Sequence, residues 1–343
     1  MKKYTDYIME TAQHLLAVPS PSGFTHMAAD FVKKEFEAMG YEPKITQKGA
    51  VLVKLGGKEE ENAIVLAAHM DTLGAMVCQI MDNGHLKLTN IGGMNPNNAE
   101  AENCKVYTKS GQVYDATFQL ENASVHVNGE YSDSKRTYDT MEAILDERVS
   151  QKDDVKKLGI MTGDFVCFDP RTVVTKSGYI KSRFLDDKFS TAILLGYAKY
   201  LKEEQITPQR TIYVMITSYE EVGHGGCAAI PDGVTEMISV DMGCVGNGLE
   251  CDETMVSICA KDSMGPYDYQ VVSNLIKAAQ ENQIRFAVDV YPHYGSDVDA
   301  ALKAGYDMKH GLIGPGVYAS HGYERSHREG AKNTLKLLKA YLG

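Results

Sequence analysis

The sequence predicts an α/β fold: a helix–sheet–helix domain interrupted by a β-rich insertion. Three observations carry this. The segments 63–68 and 211–217 are nearly continuous apolar runs, as strands buried on both faces require, and they alternate with helical patterns. Between about residues 73 and 172 the pattern changes to short strands separated by tight turns. Helix–strand alternation then resumes after residue 180. The expected organisation is therefore one discontinuous domain, 1–72 with 173–343, and an inserted domain, 73–172.

Taken in order, Tyr7, Ile8, Ala12, Leu15 and Leu16 recur at helical spacing until Pro19-Ser20-Pro21-Ser22-Gly23 stops the helix. Thr25 is placed to cap a second helix carrying Ala28, Phe31, Val32, Phe36 and Met39, with Gly40 at its C-terminal left-handed position. Segments 42–46, 51–55 and 63–68 read as strands. In the insertion, Asp82-Asn83-Gly84 turns between strands 76–80 and 86–91, and Lys109-Ser110-Gly111 between 105–108 and 113–120. One helix is expected there, over 138–149. Beyond it follow a helix over 186–204, strands 211–217, 237–240 and 255–259, a helix over 269–281, a strand over 286–290 and a terminal helix over 333–341. The stretch before His321 reads as a Gly/Pro-rich loop.

The composition narrows the function. Lys and Arg number 35 against 46 Asp and Glu, a net charge of −11, which argues against sequence-independent nucleic-acid binding. The seven cysteines are odd in number and lack CxxC spacing, so they read as free thiols in a reducing cytoplasm. The first residues turn polar at once, unlike a signal peptide, and no apolar run reaches the length of about 18 needed for a membrane span.

Polar residues collect where the apolar strands end, the usual place for sites in open α/β sheets. Strand 63–68 delivers His69 and Asp71, two apart and so on one side. Strand 211–217 delivers Glu220 and Glu221, with Gly223, Gly225 and Gly226 letting the backbone turn closely. Asp186-Asp187 opens a long helix, Asp241 follows strand 237–240, and His321 lies near the C-terminus. Each has an ordinary explanation alone: a surface pair, a solvated loop, a helix cap, a surface histidine. Together they supply carboxylate and imidazole donors without cysteine, a set that suits zinc, cobalt or manganese. Five ligands exceed one open zinc site but suffice for two ions if one carboxylate bridges.

These motifs resemble the dinuclear-metal aminopeptidases that include glutamyl aminopeptidase and the tetrahedral, dodecameric aminopeptidases. The resemblance runs along essentially the whole chain. It rests on His69-Met70-Asp71-x-x-Gly74, Leu185-Asp186-Asp187-Lys188, Glu220-Glu221-Val222-Gly223, Val240-Asp241, Gly295-Ser296-Asp297 and His321. It implies that His69 and His321 each bind one of two metal ions, that Asp186 bridges them, and that Glu221 and Asp241 complete the coordination. It makes Glu220 the catalytic carboxylate, has Asp71 orient His69, and places Gly295, Ser296 and Asp297 on the substrate side. It also implies a β-barrel insertion used in dimer contacts, a homo-oligomer up to a dodecamer, and short peptides with a free N-terminus as substrates. Two departures stand out. Thr72 replaces a frequent Glu, which is expected to alter the substrate pocket. His321-Gly322-Tyr323-Glu324 replaces the usual His-Ser-Pro-Val-Glu, so His327 is an alternative last ligand.

The expected activity is hydrolysis of the N-terminal peptide bond, with Glu220 as general base. The alternatives are an N-acyl amino acid deacylase or other amidohydrolase on the same scaffold, and an endoglucanase-type glycosidase. Adjacent glutamates and imidazole donors give the glycosidase little support.

Overall fold

A computed structural model describes all residues 1–343. Strand Glu59–His69 lies near the middle of a 12-stranded sheet, flanked in parallel by Arg210–Thr217 on one side and Val234–Val240 on the other. Beyond Val234–Val240 runs Lys309–Tyr318, also parallel, with Val240 opposite Ile313. Ile64 to Ala68 are each 0–1% exposed, as the apolar run demands. Alternation sends Val65 and Ala67 to one face, where they pack with Val298 and Ala301 of helix Asp297–Lys303. The other face meets helix Leu185–Glu203, whose Thr191 hydroxyl donates to the His69 carbonyl at 3.1 Å. Helices thus cover both faces of the sheet, the layered α/β arrangement expected.

By internal contacts the chain divides into two units, 1–72 with 171–343, and 73–170. The second unit is a closed six-stranded barrel in the order Gly74–Ile80, Leu86–Ile91, Met141–Leu145, Val113–Leu120, Glu102–Tyr107, Phe165–Phe168. Alternate residues such as Val106, Phe118 and Val166 fill it, with the rings of Phe118 and Phe168 edge to face at 5.6 Å. The helix expected over 138–149 is instead strand Met141–Leu145, paired antiparallel with Val113–Leu120. Met141, Ala143 and Leu145 point inward together, a period of two. The short apolar run carries no period strong enough to resist recruitment into the barrel.

A second correction concerns the presumed loop before His321. Residues Lys309–Tyr318 form the longest strand after Glu59–His69. Its glycines are there because neighbouring backbone crowds them: a Cβ on Gly314 would lie 1.5 Å from the Asp241 carbonyl oxygen, and one on Gly316 would lie 2.2 Å from that of Asp252. Thr25 does not cap the second helix through its side chain; its hydroxyl pairs with that of Ser218 at 2.9 Å. Gly40 takes the expected left-handed turn at φ +79°. No helix is long and apolar enough to cross a membrane.

Candidate functional site

Parallel register brings the strand ends together. Thr217 lies opposite His69, and Ser239 opposite Ala67, so the chain leaves three neighbouring strands toward the same space. After Thr217 the backbone turns through Tyr219 at φ +71°, makes one short turn over Glu220–Val222, and leaves through Gly223 at φ +85°. Asp71 anchors that turn: its two carboxylate oxygens accept the amides of Glu220 at 3.1 Å and Glu221 at 3.3 Å. Ser22 donates to the same carboxylate at 2.5 Å.

The His69 ring is held differently from the expectation that the Asp71 carboxylate would orient it. Its Nδ1 donates to the backbone carbonyl of Asp71 at 2.9 Å, while the carboxylate stands 3.7 Å away, occupied by the glutamate amides. A carbonyl can only accept, so Nδ1 carries the proton and Nε2 faces the acids. Nε2 lies 3.0 Å from Asp186 Oδ1 and 3.6 Å from Glu220 Oε2. The other oxygen of Asp186 lies 3.5 Å from His321 Nε2, which is also 3.5 Å from Glu221 Oε2. Asp186 therefore stands between the two histidines with one oxygen toward each.

Asp186 can do so because it does not continue the helix behind it. Asp186 (φ −73°, ψ 106°) and Asp187 (φ −120°, ψ 29°) are non-helical, and the peptide joining them is cis. Asp187 is wholly buried: one oxygen accepts the His69 amide at 3.3 Å, and the other has no hydrogen-bond partner. Ligand atoms of His69, Asp187 and Asp241 lie within 4.8 Å of one another, as do those of His69, Asp186 and Glu221. A buried carboxylate oxygen without a partner is costly unless a cation compensates it. The residues present thus fit divalent ions.

All five sequence-selected metal candidates meet in this cluster. His327 does not: its Nε2 donates to the Ser177 carbonyl at 2.9 Å, and its Nδ1 accepts the Glu329 amide as the cap of helix Arg328–Leu342. Gly295, Ser296 and Asp297 line a cavity of about 630 Å³ that Asp186, Glu220, Glu221, Asp241 and His321 also line. Asp297 turns inward, accepting from Thr217 at 2.6 Å, and Ser296 caps the following helix in a reciprocal pair with Asp299. Thr72 is 2% exposed, is backbone-paired with Ser20 and Ser22, and does not line the cavity. Sequence reasoning missed Glu324, Tyr294 and Lys303. Tyr294 and Lys303 line the cavity, and Lys303 is the only lysine or arginine to do so. Nothing in their spacing marks them.

The cluster holds more acid than it can ionise alone. Burial, reinforced by Asp186, pushes Asp241 up to about 7 and Glu324 up to about 8. Burial likewise raises Asp297 to about 6 and lifts Glu220 and Glu221 well above the usual carboxylate range. The bond to Asp186 raises His321 to about 9. Burial opposes charge on His69, but Glu220, Asp186 and Asp241 together raise it. Asp186 alone moves down, burial being outweighed by the two histidines. Groups raised on folding bind extra protons in the native state, so their contribution falls as pH climbs from the ordinary to the shifted value. Asp186 has the opposite sign but acts only below its ordinary value of 3.8. The metal-free protein is therefore expected to melt at lower temperature at about pH 8.5 than at about pH 5.5, and a divalent cation is expected to reduce the difference. Thermal melts of chelator-treated protein check this; a melting temperature that rises with pH would contradict it.

Acids and histidines gathered at parallel strand ends, beside an open cavity, define the class: an α/β protein whose strand ends carry a polar cluster able to hold divalent cations. A family model described as M42 glutamyl aminopeptidase matches residues 49–337. The putative aminopeptidase YhfE of Bacillus subtilis is 42% identical over 334 residues, 97% of this chain and 96% of that one. The aminopeptidase APDkam598 of Desulfurococcus kamchatkensis superposes with a TM-score of 0.87 at 21% identity, covering 99% of this chain and 95% of that one. The TET1 peptidase of Pyrococcus horikoshii does so at 0.85 and 22% identity, covering 97% and 98%. The chain belongs to the M42 family of aminopeptidases, and is a hydrolase.

Proposed function

We propose that this aminopeptidase works with two divalent metal ions, His69 and Asp241 holding one, His321 and Glu221 the other, and Asp186 both. The observation that carries the reading is the Asp186 carboxylate, with Oδ1 3.0 Å from His69 Nε2 and Oδ2 3.5 Å from His321 Nε2. Zinc or cobalt fits the donor set best, and manganese suits it too. Bound ions of this kind lower the pKa of a shared water and polarise a carbonyl. The chain's own residues do the rest. Glu220, held at its amide by Asp71, accepts a proton from the attacking water and returns it to the leaving amine. Burial raises the proton affinity of Glu220 above that of an ordinary carboxylate. The free α-amine of a short peptide is placed among these acids, and Gly295, Ser296 and Asp297 border its path.

The same reading makes the protein a cytoplasmic homo-oligomer, with the 73–170 unit supplying contacts. It is supported by the seven free thiols and by a structural relative, the TET1 peptidase, that can assemble into a tetrahedron. The test is a panel of free-amine and N-acylated peptides before and after chelation. Release of the N-terminal residue from free-amine peptides is expected, abolished by EDTA and restored by zinc, cobalt or manganese. Turnover that survives EDTA would overturn the reading, and preference for acylated substrates would turn it into a deacylase.

A further inference from the structure

We propose that Glu324 is a positioning residue that sets the spacing of the two cation sites by clamping Asp186 and His321 through their backbone amides. The proposal rests on the reading that Asp186 and His321 bind metal. Glu324 is 2% exposed and does not line the cavity, so it reaches neither substrate nor cation directly. Its Oε2 accepts the Asp186 amide at 3.0 Å and its Oε1 the His321 amide at 2.9 Å. One carboxylate therefore joins two segments 138 and 3 residues away in sequence.

The two segments belong to different elements: Asp186 to the start of helix Leu185–Glu203, His321 to the turn between strands Lys309–Tyr318 and Glu324–His327, which pair at Tyr318 and Arg325. Asp186 lies outside helical geometry, so its amide has no place in the helix hydrogen-bond series. His321 sits beyond the end of strand Lys309–Tyr318 with φ +62°, a left-handed conformation uncommon for a residue with a Cβ. Strand Glu324–His327 pairs antiparallel with Tyr179–Ser182, Ser182 opposite Glu324, and this register delivers the carboxylate between the two amides. The histidine and the aspartate whose side chains stand 3.5 Å apart are thus registered by one shared acceptor behind them. Here the last histidine and the glutamate are separated by three positions, one fewer than in the His-Ser-Pro-Val-Glu pattern noted above.

Each amide donates to its own oxygen of Glu324, and these two bonds favour the ionised carboxylate against the burial that raises it. In E324Q the amide carbonyl still accepts one backbone N–H, but the NH2 group faces the other donor to donor. Partners behind metal ligands typically affect metal affinity by about 10- to 100-fold. Zinc titration of metal-free protein, with the absorption spectrum of the cobalt form as a second readout, is expected to show E324Q weakened by about that factor and its cobalt spectrum altered. E324D keeps both acceptors one methylene short and is expected to fall between E324Q and wild type; it is also the variant to score if E324Q does not fold. D186A run alongside separates the two claims. If D186A binds zinc as the wild type does, the metal-site reading fails. If D186A loses zinc while E324Q and E324D keep wild-type affinity and spectrum, the clamp is wrong and the site stands.

Discussion

Glu220→Gln is expected to keep its metal complement and to lose about 10²- to 10⁴-fold in kcat, with a smaller change in KM. Gln matches the shape of Glu but cannot carry a proton away from water. The variant is expected to preserve the surrounding turn, because Asp71 holds residues 220 and 221 by their backbone amides, which the substitution leaves untouched. Glu220 lies 3.6 Å from His69 Nε2 yet is not counted among the ligands, since Asp186 stands closer to the same nitrogen at 3.0 Å. The split between retained metal and lost turnover is what distinguishes a proton carrier from a ligand. Single-turnover kinetics together with elemental analysis would check it; near-wild-type kcat would remove Glu220 from the mechanism.

Asp186→Ala is expected to reduce bound metal to background and to abolish activity. The reason is its position rather than its charge alone, since each of its oxygens serves a different histidine. Removing it also leaves two imidazoles, both raised by this carboxylate, among acids that no longer share a cation. The fold is expected to survive, because the Asp186 amide still reaches Glu324. Circular dichroism would confirm the fold, and elemental analysis of dialysed protein would read the metal. Full occupancy in a folded Asp186→Ala variant would contradict the bridging role.

Legibility in the sequence followed a physical rule. Strands buried on both faces were readable because a short, nearly continuous apolar run such as Ala63–Ala68 fits a buried strand, and the polar residues that end them, His69 and Asp241, stand out against those runs. Strand Lys309–Tyr318 was not, because its glycines, needed where Asp241 and Asp252 backbones crowd it, mimic a loop. Segment Met141–Leu145 was misread because the closing barrel, not local propensity, decides its state. In the site, the acids and histidines that face the cavity are carried by short motifs. Those that hold it from behind are not: Asp187 looks like half of a helix-start pair, and Glu324 shows its role only once strand register brings it between Asp186 and His321. The role of Asp71 changed for a similar reason. Its proximity to His69 was legible, but the two glutamate amides that compete for its carboxylate come from a turn about 150 residues away.

The most direct test is to locate the ions. Crystals of the protein loaded with cobalt, measured on both sides of the cobalt absorption edge, are expected to show two anomalous peaks about 3.5–4 Å apart, one beside His69 and Asp241 and the other beside Glu221 and His321, with Asp186 between them. A single peak, or peaks away from Asp186, would contradict the account.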